Sequence, residues 1–129
     1  MPRPASRYPT DLELEILKVL WRHGPSTVRQ VRDALPGDRD SAYTSVMTIM
    51  GIMTDKGYVR RRKAKASYIY RAVLKQESTA KNMLADVVTR AFDGSATAAA
   101  VHLLETADID EVELAELRKL LARKGEGKS

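Results

Sequence analysis

The densest chemistry in the sequence is a run of positive charge. Between Lys56 and Arg71 there are seven basic residues and no acidic one. A basic side chain that meets a DNA phosphate releases a condensed counterion, so such a run gives an affinity that depends steeply on salt. Contacts of this kind carry no sequence information. We therefore predict that the run binds the phosphates of double-stranded DNA, and the candidate contacts are Arg60, Arg61, Arg62, Lys63 and Lys65.

A second candidate surface is small and hydroxylated. Apolar residues at helical spacing, among them Val46, Met50 and Met53, predict a helix over residues 41–56 whose opposite face is nearly uncharged. Small outward side chains let a helix backbone approach base edges in the major groove, where hydroxyl groups contact bases and threonine offers a methyl group to thymine. Tyr43 is as well suited to packing as to a phosphate contact. The predicted contacts of this helix are Ser41, Ala42, Tyr43, Thr44, Ser45 and Thr48.

Catalysis has no comparable candidates. The sequence has two histidines, His23 and His102, and no cysteine, and it lacks both a glycine-rich phosphate loop and a His-Glu-x-x-His pattern. His23 stands at a predicted helix end, where the helix dipole accounts for it without catalysis. The absence of cysteine excludes disulfides and thiolate metal sites. We therefore predict a protein that is not an enzyme and that holds no cofactor and no metal ion.

Two further short helices are predicted before the helix that carries the hydroxylated surface. A capping-box pattern predicts a first helix over residues 11–21. Ser26 or Thr27 caps a second short helix, which Pro36 ends. The third helix is the one over residues 41–56.

The basic run itself is typical of a β-hairpin. Its flanks alternate and carry tyrosine and valine, and the tetrad at 63–66 lies between them. Because the tetrad lacks glycine, we expect a wider and more mobile tip than a two-residue primed turn would give. Tyr68 and Tyr70 share one strand face and are expected to seal the hairpin onto the core. Three helices followed by a basic hairpin is the order of a winged helix-turn-helix, in which the third helix enters the major groove.

The charge is unevenly divided along the chain. Residues 1–71 hold 14 basic and 7 acidic residues, whereas residues 72–129 hold 8 and 10. The net charges are therefore +7 and −2. This asymmetry predicts a polyanion-binding head and a tail with a different task. We place a winged-helix DNA-binding domain at 1–73 and a helical dimerisation domain at 74–129, in a protein that is mainly α with a small β-hairpin wing.

The tail has apolar helix faces but too few helices to enclose them. Helices are predicted over about 76–92, 96–104 and 111–123. Burial against a second subunit is the economical solution, with folding back onto the head as the alternative. A two-fold dimer would present two recognition helices about 34 Å apart, which matches an inverted repeat. The predicted dimerisation residues are Leu84, Val87, Val88, Ala91, Val101, Leu104, Leu117, Leu120 and Leu121.

No segment resembles a targeting or membrane element. The first ten residues carry charge without an apolar stretch behind it, and nowhere do 18 apolar residues run together. We expect a cytoplasmic protein without direct membrane binding.

The segments at residues 11–17, 20–21, 27–31, 42–50 and 56–59 form a recognisable set. Together they resemble the BlaI/MecI family of penicillinase-type repressors across nearly the whole chain. The resemblance implies a winged helix-turn-helix head, a helical dimerisation tail and repression at inverted-repeat operators. It also implies that Thr44, Ser45 and Thr48 occupy positions that face the major groove. Gly51 and Ile52 stand where family members usually carry charged residues, so the resemblance does not indicate which operator is preferred. The matching segments are Asp11-Leu12-Glu13-Leu14-Glu15-Ile16-Leu17, Leu20-Trp21, Thr27-Val28-Arg29-Gln30-Val31, Ala42-Tyr43-Thr44-Ser45-Val46-Met47-Thr48-Ile49-Met50 and Lys56-Gly57-Tyr58-Val59.

The resemblance also implies how repression ends. In this family a membrane-linked protease system cuts the tail, and the corresponding bond here is His102-Leu103, which differs from the family's residue pair. A regulatory protease is therefore an expected partner. Two other readings of the sequence stay open, a winged-helix regulator that senses a small molecule and a winged-helix module that binds protein. The second is disfavoured because no acidic residue balances the charges of the wing.

Overall fold

The computed structural model describes residues 8–36 and 42–127. It is mainly helical with one two-stranded antiparallel hairpin, which confirms the predicted fold class. The compact units are Met1–Ala85 and Asp86–Ser129, so the start of the fourth helix belongs to the first unit. The elements are α1 (Asp11–His23), α2 (Val28–Ala34), α3 (Tyr43–Lys56), β1 (Val59–Ala64), β2 (Ser67–Ala72), α4 (Gln76–Ala91), α5 (Ala96–Thr106) and α6 (Glu111–Glu126).

Local capping signals set the first two helices. Thr10 accepts a hydrogen bond from the Glu13 backbone, and the Glu13 carboxylate accepts one from the Thr10 backbone at 2.8 Å. Thr27 and Gln30 form the same reciprocal pair before α2, so Thr27 rather than Ser26 is the cap. Such caps satisfy backbone donors that the first turn of a helix leaves free.

Ser26 has a different structural task. Its backbone exchanges two hydrogen bonds with Tyr70, at 2.9 Å and 2.8 Å, and so adds a one-residue bridge to the hairpin. The Ser26 hydroxyl donates to the Gly24 carbonyl at 2.8 Å. The base of the wing is thereby fixed to the turn between α1 and α2.

One hydrophobic core holds the first unit together. Helices α1, α2 and α3 and both strands contribute to it, and Tyr70 is buried there while Tyr68 is exposed. The expectation that both tyrosines seal the wing is thus confirmed for Tyr70 and wrong for Tyr68. The buried residues are Ile16, Leu17, Val19, Leu20, Val28, Val31, Leu35, Val46, Met50, Met53, Tyr58, Val59 and Tyr70.

A buried ion pair joins α1 to the end of α3. The Lys56 ammonium lies 2.9 Å from the Glu13 carboxylate, and their side chains are 14% and 3% exposed. Lys56 also lies 5.5 Å from the centre of the Tyr58 ring. Since this carboxylate also caps α1, a single acidic group holds the start of one helix against the end of another.

The tip of the wing is tighter than the sequence suggested. Ala64 pairs with Ser67, so Lys65 and Ala66 alone form the turn. The expected wider tip is therefore wrong. Neither turn residue has a positive φ; among the described non-glycine residues, only Asp93 has one. The glycine rule applies to primed turns, whereas an unprimed two-residue turn closes the strands without glycine, at the expense of their preferred twist.

The second unit has little core of its own. Within residues 86–127 only Ala99 is buried. After α4 ends at Ala91, the turn residues Asp93 and Gly94 both have positive φ, and the Gly94 amide donates to the Val88 carbonyl at 2.9 Å. No helix within residues 8–36 and 42–127 is both long enough and apolar enough to span a bilayer.

Candidate nucleic-acid interface

The wing carries its charges on two opposite faces. The strand register places Arg61 opposite Tyr70 and Lys63 opposite Tyr68. These residues form what we call the inner face, because Tyr70 packs into the core there. Side chains alternate along a strand, so the neighbours of these residues point the other way. That outer face carries Arg60, Arg62, Ile69 and Arg71.

On the inner face, Arg61 is held in place by aromatic neighbours. Its guanidinium lies 4.4 Å from the centre of the Tyr68 ring. It also donates a long hydrogen bond of 3.5 Å to the Tyr70 hydroxyl. That hydrogen bond is the main reason why the pKa of Arg61 is raised above its ordinary value. Because these neighbours already hold the guanidinium, less side-chain freedom is lost when Arg61 meets a phosphate.

On the outer face, three arginines surround one apolar residue. Arg60 stands directly opposite Arg71 in the strand register, and like charges in that position repel. With Arg62 and Ile69 they line a cavity of about 220 Å³. None of the three arginines forms an ion pair with any residue that the structure describes. A polyanion would relieve the repulsion. Arg71 was missed as a site residue, although a hairpin brings the two ends of the basic run side by side and could have indicated it.

The outward face of α3 is largely as the helical spacing predicted. Ala42, Tyr43, Thr44, Ser45 and Thr48 are all exposed, while Ser41 lies outside the described residues. Ala42 is the N-cap, and its side chain makes no capping hydrogen bond. Among the described residues, no side chain caps the first backbone amides of α3, as suits a helix that meets an anion or a base edge.

Thr48 is more restricted than a free hydroxyl. Its Oγ1 donates to the Thr44 carbonyl at 2.9 Å. Because that hydrogen is committed, Thr48 offers an acceptor and a methyl group to a ligand, and no donor. Thymine methyl groups and base amino groups are the matching partners in the major groove.

The free charge of the wing is smaller than the sequence count. Lys56, the first of the seven basic residues, is buried with Glu13 and is unavailable to a ligand. The six remaining side chains are exposed, and they are Arg60, Arg61, Arg62, Lys63, Lys65 and Arg71. The long-range pairing of Lys56 leaves no local sequence signal.

A cleft that the sequence did not indicate lies between the wing, α2 and α3. It has a volume of about 460 Å³ and is lined by Thr27 and Arg29 from the start of α2, Tyr43 and Met47 from α3, and Tyr68 from the wing. It brings the candidate helix and the candidate wing to one surface.

The predicted dimerisation residues lie on α4, α5 and α6. Ala91 is exposed and Val88 is half-buried. The others are leucines and valines with more than a third of their surface exposed, namely Leu84, Val87, Val101, Leu104, Leu117, Leu120 and Leu121.

The predicted cleavage bond lies inside a regular helix. His102 and Leu103 are exposed residues of α5. The His102 ring lies 6.1 Å from that of Phe92, and its carbonyl accepts a hydrogen bond from Thr106 at 2.8 Å. A protease therefore reaches the bond only after local opening of α5.

Comparison with known proteins agrees with this architecture. The model of the penicillinase repressor family matches residues 9–123. The chain belongs to this family. A transcriptional regulator BlaI of Mycobacterium tuberculosis is 37% identical over 114 residues, which are 87% of this chain and 81% of that protein. The methicillin resistance regulatory protein MecI of Mammaliicoccus sciuri is 18% identical over 112 residues, covering 87% and 91%. The predicted membership of the BlaI/MecI family of transcriptional regulators is confirmed.

Proposed function

We propose that the protein represses transcription by binding inverted-repeat operator DNA as a homodimer. The observation that carries this proposal is that the wing, which bears six exposed basic side chains, and the exposed face of α3 border one cleft, lined by Tyr68 from the wing and Tyr43 from α3. The related BlaI is named a transcriptional regulator and the related MecI a regulatory protein, which agrees with this assignment.

The two parts of the head divide the work. The wing neutralises phosphates and supplies affinity that is independent of sequence. The helix α3 supplies discrimination, because Thr44, Ser45 and Thr48 are exposed on it and are small enough to let the helix approach the base edges. Hydroxyl contacts are individually weak, so several are needed for one operator.

The exposed apolar residues of α4, α5 and α6 support association with a second copy. Exposed leucine and valine side chains in this number indicate an interaction site. A two-fold dimer presents one recognition helix to each half-site, which makes an inverted repeat the matching sequence. Joining two heads makes the second binding event intramolecular and raises apparent affinity by about 10² to 10⁴.

Release follows from the same arithmetic. Cutting the tail within α5, at His102-Leu103 in our assignment, would separate the heads without altering a single DNA contact. Local opening of α5 within one subunit costs little free energy, because the described part of the second unit buries so little apolar surface. A regulatory protease is the partner that this step needs.

The experiment is a salt titration combined with sedimentation. Neutralising two to four phosphates per subunit gives a dimer a slope of log K against log salt of roughly −4 to −7. We expect this slope on a duplex obtained by selection from a random pool, and a dimer at micromolar protein. A flat response to salt, or a monomer at that concentration, would contradict the proposal.

A further inference from the structure

Three exposed apolar side chains gather in the cleft between the wing, α2 and α3. Tyr43 is 37% exposed, Met47 45% and Tyr68 41%, and all three line this cleft. A large apolar side chain in water gains free energy when it is covered, so such a cluster marks a contact surface. Met47 is not part of the hydrophobic core cluster, and the Tyr68 ring is already covered on one side by Arg61.

The surroundings of the cluster indicate its occupant. Arg29 lines the same cleft, and Arg61 lies over the Tyr68 ring. The exposed Thr44 and Thr48 stand one turn apart on α3, on either side of Met47 in sequence. A partner that suits this surface is anionic at its edge and carries a small apolar group within reach of a helix. In the major groove of DNA, that group is the C5 methyl of thymine.

We propose that Met47 is a specificity-determining residue that recognises a thymine methyl group in each operator half-site. The inference rests on the proposed function, because it assigns a base preference to the same helix. The flexible thioether of methionine adapts to the position of the methyl group, and Tyr43, one turn earlier on α3, lines the cleft beside it. Recognition by Met47 also requires no hydrogen bond, so it is independent of the committed Thr48 hydroxyl.

The test replaces each thymine of a selected operator by deoxyuridine, one symmetric pair at a time. This change removes the methyl group and keeps base pairing. At the position that Met47 contacts, we expect about fourfold weaker binding for each methyl lost, hence roughly fifteenfold for the symmetric pair. With Met47→Ala protein, the same replacement should change affinity by less than twofold, whereas other thymine positions keep the sensitivity seen with the unaltered protein.

Two control variants separate this effect from general loss of binding. Met47→Leu retains an apolar group of similar size and should keep most of the methyl sensitivity. Arg62→Ala removes charge from the outer face of the wing and should weaken binding while leaving the methyl sensitivity intact. Because Met47 is exposed, neither Met47 variant should alter the thermal unfolding midpoint appreciably.

The possible outcomes are distinct. Equal methyl sensitivity in Met47→Ala and unaltered protein would overturn the inference while the proposed function stands. A Met47→Ala protein that binds the selected operator as tightly as the unaltered protein would also overturn it. If no duplex is selected at all, the proposed function and this inference fall together.

Discussion

The two compact units of this chain differ in how they satisfy their own apolar residues. The head buries thirteen hydrophobic residues from three helices and both strands in one cluster. The described part of the second unit buries Ala99 alone and exposes leucine and valine along α5 and α6. A unit with a core keeps its fold by itself, whereas a unit without one depends on what covers it. The proposed DNA surface thus lies on the unit that has a core, and the proposed control lies on the unit that lacks one.

The strongest challenge to the head is loss of its buried ion pair. Lys56→Met leaves the Glu13 carboxylate buried without a cation, and we expect unfolding to become easier by about 3–5 kcal/mol. The double variant Glu13→Gln with Lys56→Met should recover most of this loss, because glutamine still accepts the capping hydrogen bond from Thr10. Denaturant titration followed by the fluorescence of Trp21, the single tryptophan, reports on the head.

A matched control is available on the same helix. Glu15 and Lys18 form an exposed pair at 3.3 Å, and Lys18→Met should cost less than about 1 kcal/mol. If Lys18→Met and Lys56→Met destabilise equally, the Glu13 pair does not organise the head as we describe.

Removing the tail tests the other side of the comparison. A fragment of residues 1–85 keeps the whole head core, including Leu74, whose carbonyl accepts a hydrogen bond from the Trp21 indole at 2.8 Å. We expect a folded monomer that has lost about a hundredfold or more in operator affinity. Circular dichroism checks the folding, and titration of fragment and full chain on one operator at one salt concentration checks the affinity. A folded fragment that binds as tightly as the full chain would remove the physical basis for control through the tail.

A double variant tests dimerisation in the full chain. Leu117→Glu combined with Leu121→Glu places charge on the exposed apolar face of α6 and should produce a monomer. Glu116→Gln, on the same helix, is the control and should leave the dimer intact. Sedimentation of the three proteins compares them directly.

Sequence patterns predicted the contacts between residues close together in the chain and missed those between residues far apart. The reciprocal caps of α1 and α2 involve residues three apart, and the capping pattern indicated both starts. The Glu13–Lys56 pair joins residues 43 apart, and the Ser26–Tyr70 bridge depends on where the hairpin returns. Local patterns contain no information about such pairs. Lys56 was therefore counted as a free charge, and Ser26 remained an alternative cap.

Two further features could not be predicted from the sequence pattern. Met47 borders the apolar stripe of α3, so helical spacing cannot tell whether the wing covers it, and the structure leaves it exposed. The wing turn, Lys65-Ala66, contains no glycine. The glycine preference of primed turns therefore led to the wrong expectation that a two-residue tip was unfavourable. The position of the wing on the core decides the first case, and the choice of turn type decides the second.

The charges of the wing offer a finer test of the head. Arg62→Ala removes one outer-face cation from each subunit, and the slope of log K against log salt should become shallower by about two for a dimer. Specific and scrambled duplexes should weaken alike, since phosphate contacts carry no sequence information. Titration of both duplexes over a range of salt concentrations measures this, and a loss confined to the specific duplex would assign Arg62 to base recognition instead.

The smallest expected effect concerns Thr48. Thr48→Ala removes an acceptor and a methyl group from the outward face of α3 but leaves the charge of the wing unchanged. We expect a loss of about 1 kcal/mol in discrimination at one operator position, with the salt slope and non-specific binding preserved. Helix stability should change little, because the hydroxyl of Thr48 bonds only to the carbonyl of Thr44 in the preceding turn. Competition between the selected operator and duplexes altered at single positions measures the effect. A Thr48→Ala protein that keeps the full preference of the parent at every position would place the discriminating contacts elsewhere on α3, and the exposed Ser45 would be the next residue to replace.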